Sequence, residues 1–103
     1  MASRLSKVLD IFGKIQMCVD NQERMLEDIR QTDAVPGDDI LSVLVVYYTM
    51  CRKMLNKVDK MIDKTESTSV RRVLHRHTHL LQELRRQMAE IEDIVKKKRR
   101  KIP

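Results

Sequence analysis

The sequence predicts an all-α protein: an up-down-up bundle of three long helices, with room for a partner helix or a second copy of the chain to complete it. Three observations predict this. Apolar residues recur at alternating steps of three and four in three separate segments, the spacing of a helix face that buries a seam. Two Gly, two Pro, two Tyr and one Phe are too few turn residues and rings for a β fold. The 103 residues suffice for one modest core and not for two.

The first helix is expected over about 3–32. Leu5, Val8, Phe12, Ile15, Val19, Gln22, Leu26 and Ile29 hold its rhythm, with Gln22 the one polar member, and Ile11, Cys18 and Met25 widen the stripe on one flank. The segment Thr32 to Asp38 ends it: Pro36 disfavours helix at Val35, Gly37 permits a turn, and Asp38 or Asp39 can cap the next helix. The second helix, 38–64, runs Ile40, Leu44, Tyr47, Cys51, Met54, Val58 and Met61, flanked one residue later by Leu41, Tyr48, Leu55 and Ile62.

Hydroxyl residues between Thr65 and Ser69 mark the second break, and the nine-residue step from Met61 to Val70 requires a phase slip there. The third helix, 69–98, runs Val70, Leu74, His77, Leu81, Leu84, Met88, Ile91 and Val95, interrupted only by His77. Stripes this wide exceed a two-stranded zipper seam and suit a bundle. Residues 1–95 therefore form one domain, and 96–103 a basic tail.

Each helix would span about 40 Å, with neighbours antiparallel. The resulting levels put Gln22 near Tyr47 or Tyr48 and near Gln87, as one buried polar layer. On that reading Gln22→Leu raises thermal stability and blurs the oligomeric state. His77, the other polar residue on a seam, reads as a core group whose charging among apolar neighbours costs free energy.

The formal net charge is +6, and Lys96, Lys97, Lys98, Arg99, Arg100 and Lys101 match it in number. Fifteen basic and fifteen acidic residues remain, so the basic character is assigned to a tail and not to a face. The start of the chain has no apolar signal segment, so a reducing compartment with free Cys18 and Cys51 is expected. The most apolar run, Ile40 to Cys51, is about half the length a bilayer crossing needs, and no membrane span is expected.

Nothing in the sequence points to catalysis or a cofactor. No nucleophile elbow, phosphate loop or dinucleotide motif occurs. Glu23, Glu27, Asp28, Asp59 and Asp63 alternate with Arg24, Arg30, Lys57, Lys60 and Lys64 as a solvated helix surface does. His75 and His79 stand one turn apart but lack a third ligand, so no metal is expected. The methionines and both cysteines read as core.

The functional signal lies in the second helix, where Val43, Val45, Val46 and Met50 are apolar beyond what one seam requires. An apolar surplus of this kind marks a partner interface, the partner being another helical protein or a second copy. The tail suits an import receptor or the phosphates of nonspecifically bound nucleic acid. Stacking aromatics and a short recognition helix are both missing, which argues against sequence-specific DNA reading.

In length and in the number and spacing of its helices across residues 5–95, the chain resembles the BAG domain of chaperone cofactors. That resemblance implies a helical regulator acting in the cytosol, docking charged helix residues on a heat-shock chaperone. The residues themselves favour a non-catalytic adaptor or subunit of a nuclear assembly, docking through its second helix.

Overall fold

The computed structural model describes residues 4–32, 36–64 and 68–100, and within them everything but Pro36, Gly37 and His77 is α-helix. The helices are α1 (Arg4–Thr32), α2 (Asp38–Lys64), α3 (Thr68–Arg76) and α4 (Thr78–Arg100). They pack into a rod of 52 × 23 × 22 Å. The expected caps at 65–67 lie outside the described residues.

Four helices stand where three were expected, because the third segment divides at His77. Side chains there compete with the backbone for acceptors. His77 Nδ1 donates to the Val73 carbonyl at 2.7 Å, and the Thr78 hydroxyl donates to the His75 carbonyl at 2.9 Å. The His77 amide is consequently shared between Val73 and Leu74, each at 3.2 Å, before the ladder resumes with Leu81 N–H to the His77 carbonyl. Because a carbonyl only accepts, that contact also places the ring proton on Nδ1. His77 is half-buried at this break instead of enclosed on a seam, its ring stacked on Phe12 at 4.3 Å between centroids.

The start of α2 also differs. Leu41 N–H bonds the Gly37 carbonyl at 3.0 Å, so Gly37 is the cap, and Asp38 and Asp39 occupy the first turn, where they favour the positive end of the helix dipole.

Contacting residues set the directions of the rods. Phe12 meets His77 and Gln22 meets Gln87, so α1 runs alongside α4 in the same sense. Gln22 meets Cys51 while Leu26, nearer the end of α1, clusters with Leu44, so α2 runs against α1. One apolar cluster contains Phe12, Ile15, Val58, Val70 and Leu84, and the other Leu26, Leu44 and Ile91. Full burial of each such side chain contributes about 1.5–3 kcal/mol.

Between the two clusters lies a polar layer. Gln22 and Gln87 are fully buried, and Gln22 Nε2 donates to Gln87 Oε1 at 2.8 Å. Gln87 Nε2 donates to the Val19 carbonyl at 2.9 Å and to Glu23 Oε2 at 3.1 Å. The residue that α2 supplies to this layer is Cys51, whose thiol points to Gln22 Oε1 at 3.6 Å, and not the expected Tyr47 or Tyr48. Tyr48 instead donates its hydroxyl to Glu92 on α4.

This pairing reverses the stability expected of Gln22→Leu. Removing Gln22 strands the carbonyl oxygen of Gln87 in the core, at a cost of about 1–3 kcal/mol, whereas removing both amides leaves only the weakly donating Cys51 thiol without its acceptor. Urea denaturation of purified protein is expected to show Gln22→Leu destabilised by that amount, with most of the loss recovered in Gln22→Leu/Gln87→Leu.

Candidate docking face

Three parallel lines of α2 have different fates. The seam through Leu44, Cys51 and Val58 is buried. The line one residue later, through Leu41, Tyr48 and Leu55, is half-buried, with Tyr48 reaching α4. The line one residue earlier is exposed along its length: Asp39, Val43, Val46, Met50, Lys53, Lys57 and Lys60.

At its middle, Val43, Val46 and Met50 are 43%, 59% and 45% exposed and, with Ser42 and Tyr47, line a shallow open hollow. Val45 is 47% exposed but is not among the residues around that hollow. One residue turns the helix by about 100°, which carries Val45 away from the line of Val46. The structure thus brings together three of the four expected docking residues and leaves Val45 apart. A second hollow at the rod end, lined by Met25, Ile29, Pro36 and Ile40 among others, has Ile40 half-exposed beside it.

The α1/α4 face has its charges paired within the chain by contrast, beside a hollow lined by Asp20, Glu23, His79 and Glu83 among others. Arg30 donates through Nε and Nη2 to the two oxygens of Glu90, both at 2.7 Å, and through Nη1 to Glu23 at 3.0 Å. Arg86 reaches Glu23 at 2.7 Å and Glu90 at 3.1 Å. Charges within these groups are thus matched to one another across the helices. Arg30 holds the Glu90 carboxyl below the usual carboxylate range against the opposing effect of burial. For Glu23, burial acts upward, but the Gln87 amide and the two guanidinium groups together hold it low.

The fold also sorts charge. Residues 4–18, 52–64 and 68–82 share the half of the rod around Phe12 and Val70 and carry eleven Lys and Arg against three Asp and Glu. In the other half, residues 19–32, 38–51 and 83–95 carry four against ten. Residues 1–95 are therefore neutral only in sum, and assigning basic character to the tail alone is corrected: one half of the bundle is itself basic. Among the described residues, Arg52, Lys53, Lys57, Arg71, Arg72 and Arg76 make no ion pair.

Of the tail, Lys96 and Lys97 are exposed. Lys98 folds back, its Nζ donating to the Pro36 carbonyl at 3.4 Å and lying 3.6 Å from Asp38. The α4 helix continues through Arg99 to Arg100, and Lys101 lies outside the described residues. Cys18 and Cys51 are free and buried. Burial pushes both thiols up, Cys51 to about 11, so neither is a thiolate at neutral pH.

Among the described residues, no three His, Cys, Asp or Glu side chains converge as a metal site requires, and no helix is long and apolar enough to cross a membrane. Compared with known proteins, the chain matches no protein family, no curated protein and no solved structure.

Val43, Val46 and Met50 are legible in the sequence as an apolar surplus, whereas their continuation into Asp39, Lys53, Lys57 and Lys60 as one exposed line, a position ahead of the core seam and in the same four-three rhythm, is not. The physical reason is that α2 packs on α1 and α4, and a line on the side turned away from both is left to solvent.

The low carboxyls set an acid limit. Since Glu23 and Glu90 bind protons more weakly folded than unfolded, their stabilisation is complete above the ordinary carboxylate pKa and is lost as pH falls through and below it. Stability measured by urea denaturation should decline from about pH 5 downward. Arg30→Gln should flatten that decline and lower stability at pH 7 by up to about 1 kcal/mol, a value limited by the partial exposure of the network.

Proposed function

We propose that this protein is a non-catalytic helical interaction module, an adaptor or subunit that docks another helical surface on α2. The observation that carries the reading is the exposed apolar group Val43, Val46 and Met50 at the centre of an otherwise charged line. Each is already about half covered by its own chain, so burying the remainder against a partner contributes roughly 0.7–1.5 kcal/mol per side chain, about half the value for full burial, and the three together can anchor a modest interface. In this reading α3 and α4 act as one rod despite the break at His77, so the chain presents an up-down-up scaffold on which α2 is the working face.

The internal pairing of charge on the α1/α4 side supports the same assignment. Glu23, Arg30, Arg86 and Glu90 are engaged with one another. On this side a BAG-like mode of action would have to break existing pairs, and among the described residues the charged helix residues open to it are the unpaired cations of α2 and α3, such as Arg52, Arg71 and Arg72. The basic tail directs the module to the nucleus in this reading, with an import receptor as its carrier. A second reading, contact with nucleic-acid phosphates, draws on the unpaired cations of the basic half as well as the tail.

Val46 is exposed, so Val46→Glu is expected to change the unfolding free energy by no more than an ordinary surface substitution, about 0.5 kcal/mol, while abolishing affinity capture of a helical partner from native cells. Retained capture would defeat docking through α2. In cells, a tagged chain with Lys96, Lys97, Arg99, Arg100 and Lys101 changed to Gln is expected to lose nuclear enrichment, and unchanged enrichment would remove the import role. For the second reading, affinity for a DNA duplex should fall by orders of magnitude between low and physiological salt.

A further inference from the structure

We propose that the α2 face pairs with a second copy of this chain, antiparallel, about a two-fold axis near the middle of the helix. The inference rests on the docking reading above and names its partner.

The exposed line is self-complementary. Along α2 it passes from an acid, Asp39, through Val43, Val46 and Met50, to the cations Lys53 and Lys57. Laid against itself head to tail, a line of that order superposes its apolar middle and sets each charged end opposite the other sign. Placing the axis between Val46 and Met50 puts Val46 against the second copy's Met50, Val43 beside the aliphatic stem of its Lys53, and Asp39 opposite its Lys57. By symmetry every contact occurs twice. The four-three spacing keeps these residues on one side of the helix throughout, as a two-helix seam needs. A parallel arrangement would set Asp39 on Asp39 and Lys57 on Lys57 and is disfavoured by like charge.

The whole rod carries the same asymmetry. The charge of the bundle changes sign near Cys18 and Cys51, within one helical turn of the point between Val46 and Met50 where the proposed axis crosses α2, with the basic half on one side and the acidic half on the other. An antiparallel pair therefore lays each basic half along the acidic half of its partner. None of Asp39, Lys53 and Lys57 has an ion-pair partner in its own chain among the described residues, whereas Arg30, Arg86 and Lys98 elsewhere are paired. Cations and an acid left unpaired on one line, in an order that satisfies a copy of itself, are what electrostatic steering into one orientation requires. The interface is one helix wide, so the pairing is expected to be weak and dependent on concentration.

Sedimentation velocity of the full chain over a range of roughly 1 to 200 µM tests the proposal, the range being set by the modest interface. The wild type is expected to pass from monomer to dimer and to weaken as salt screens the charges. Asp39→Lys and Lys57→Asp each turn two attractions into repulsions and should weaken the dimer on the order of tenfold. An equimolar mixture of the two variants should regain it, because one then carries Lys at both positions and the other Asp; a folding defect would not be cured by mixing. Zero-length carbodiimide coupling should join Asp39 to Lys57, a pair about 27 Å apart along one helix and therefore linked only between copies.

A wild type that stays monomeric throughout, or a mixture no tighter than its components, overturns the self-pairing. If that monomer still captures a helical protein through Val46, self-pairing fails and docking stands. If Val46→Glu changes neither association nor capture, both fail.

Discussion

The paired amides of Gln22 and Gln87 constrain everything else in this rod. Both are fully buried between two apolar clusters, and the bond from Gln22 Nε2 to Gln87 Oε1 forms only when α1 and α4 sit at one axial level. Hydrophobic stripes of Leu, Ile and Val tolerate sliding by a heptad, since one methylated layer resembles the next. A stranded amide in the core costs about 1–3 kcal/mol, so a slipped register is penalised where an apolar seam would be indifferent. From that level follow the reach of Arg30 to Glu90, the stacking of Phe12 on His77, and the fold-back of Lys98 onto the start of α2.

With the register set, the sides of the bundle acquire separate characters. Between α1 and α4, a network of two arginines and two carboxylates covers the polar layer and matches charge within the chain. On α2, the line ahead of the core seam has no such partners and carries valines and a methionine at its centre. A surface with internally matched charge gains little from a new contact, because any partner must first replace what is already paired. An apolar group between unpaired charges gains from both burial and steering. This difference, more than the amount of exposed apolar area, is the ground on which docking is proposed for α2.

The break at His77 shows how local chemistry modifies a helix that packing would otherwise continue. The seam through Val70, Leu74, Leu81 and Leu84 has no fault in its period, so periodicity alone predicts one rod. An imidazole and a threonine hydroxyl, three to four residues past available carbonyls, take acceptors from the ladder and leave a one-residue interruption. Phe12 then covers the ring, leaving His77 half-buried where the seam pattern alone suggested full enclosure.

The sequence by itself determined the all-helical class, the ends of α1 and α2 to within a residue, the core seams, and the apolar surplus around Val43, Val46 and Met50. These are properties of period and local composition, which act within a few turns of one helix. Only the tertiary structure decided that Cys51 and not a tyrosine meets Gln22, that Val45 stands apart from Val43, Val46 and Met50, and that a formally neutral bundle divides into a basic and an acidic half. Each of those depends on which residues of separate helices share a level or a side, and axial register is a relation between chain segments that no single segment's pattern contains.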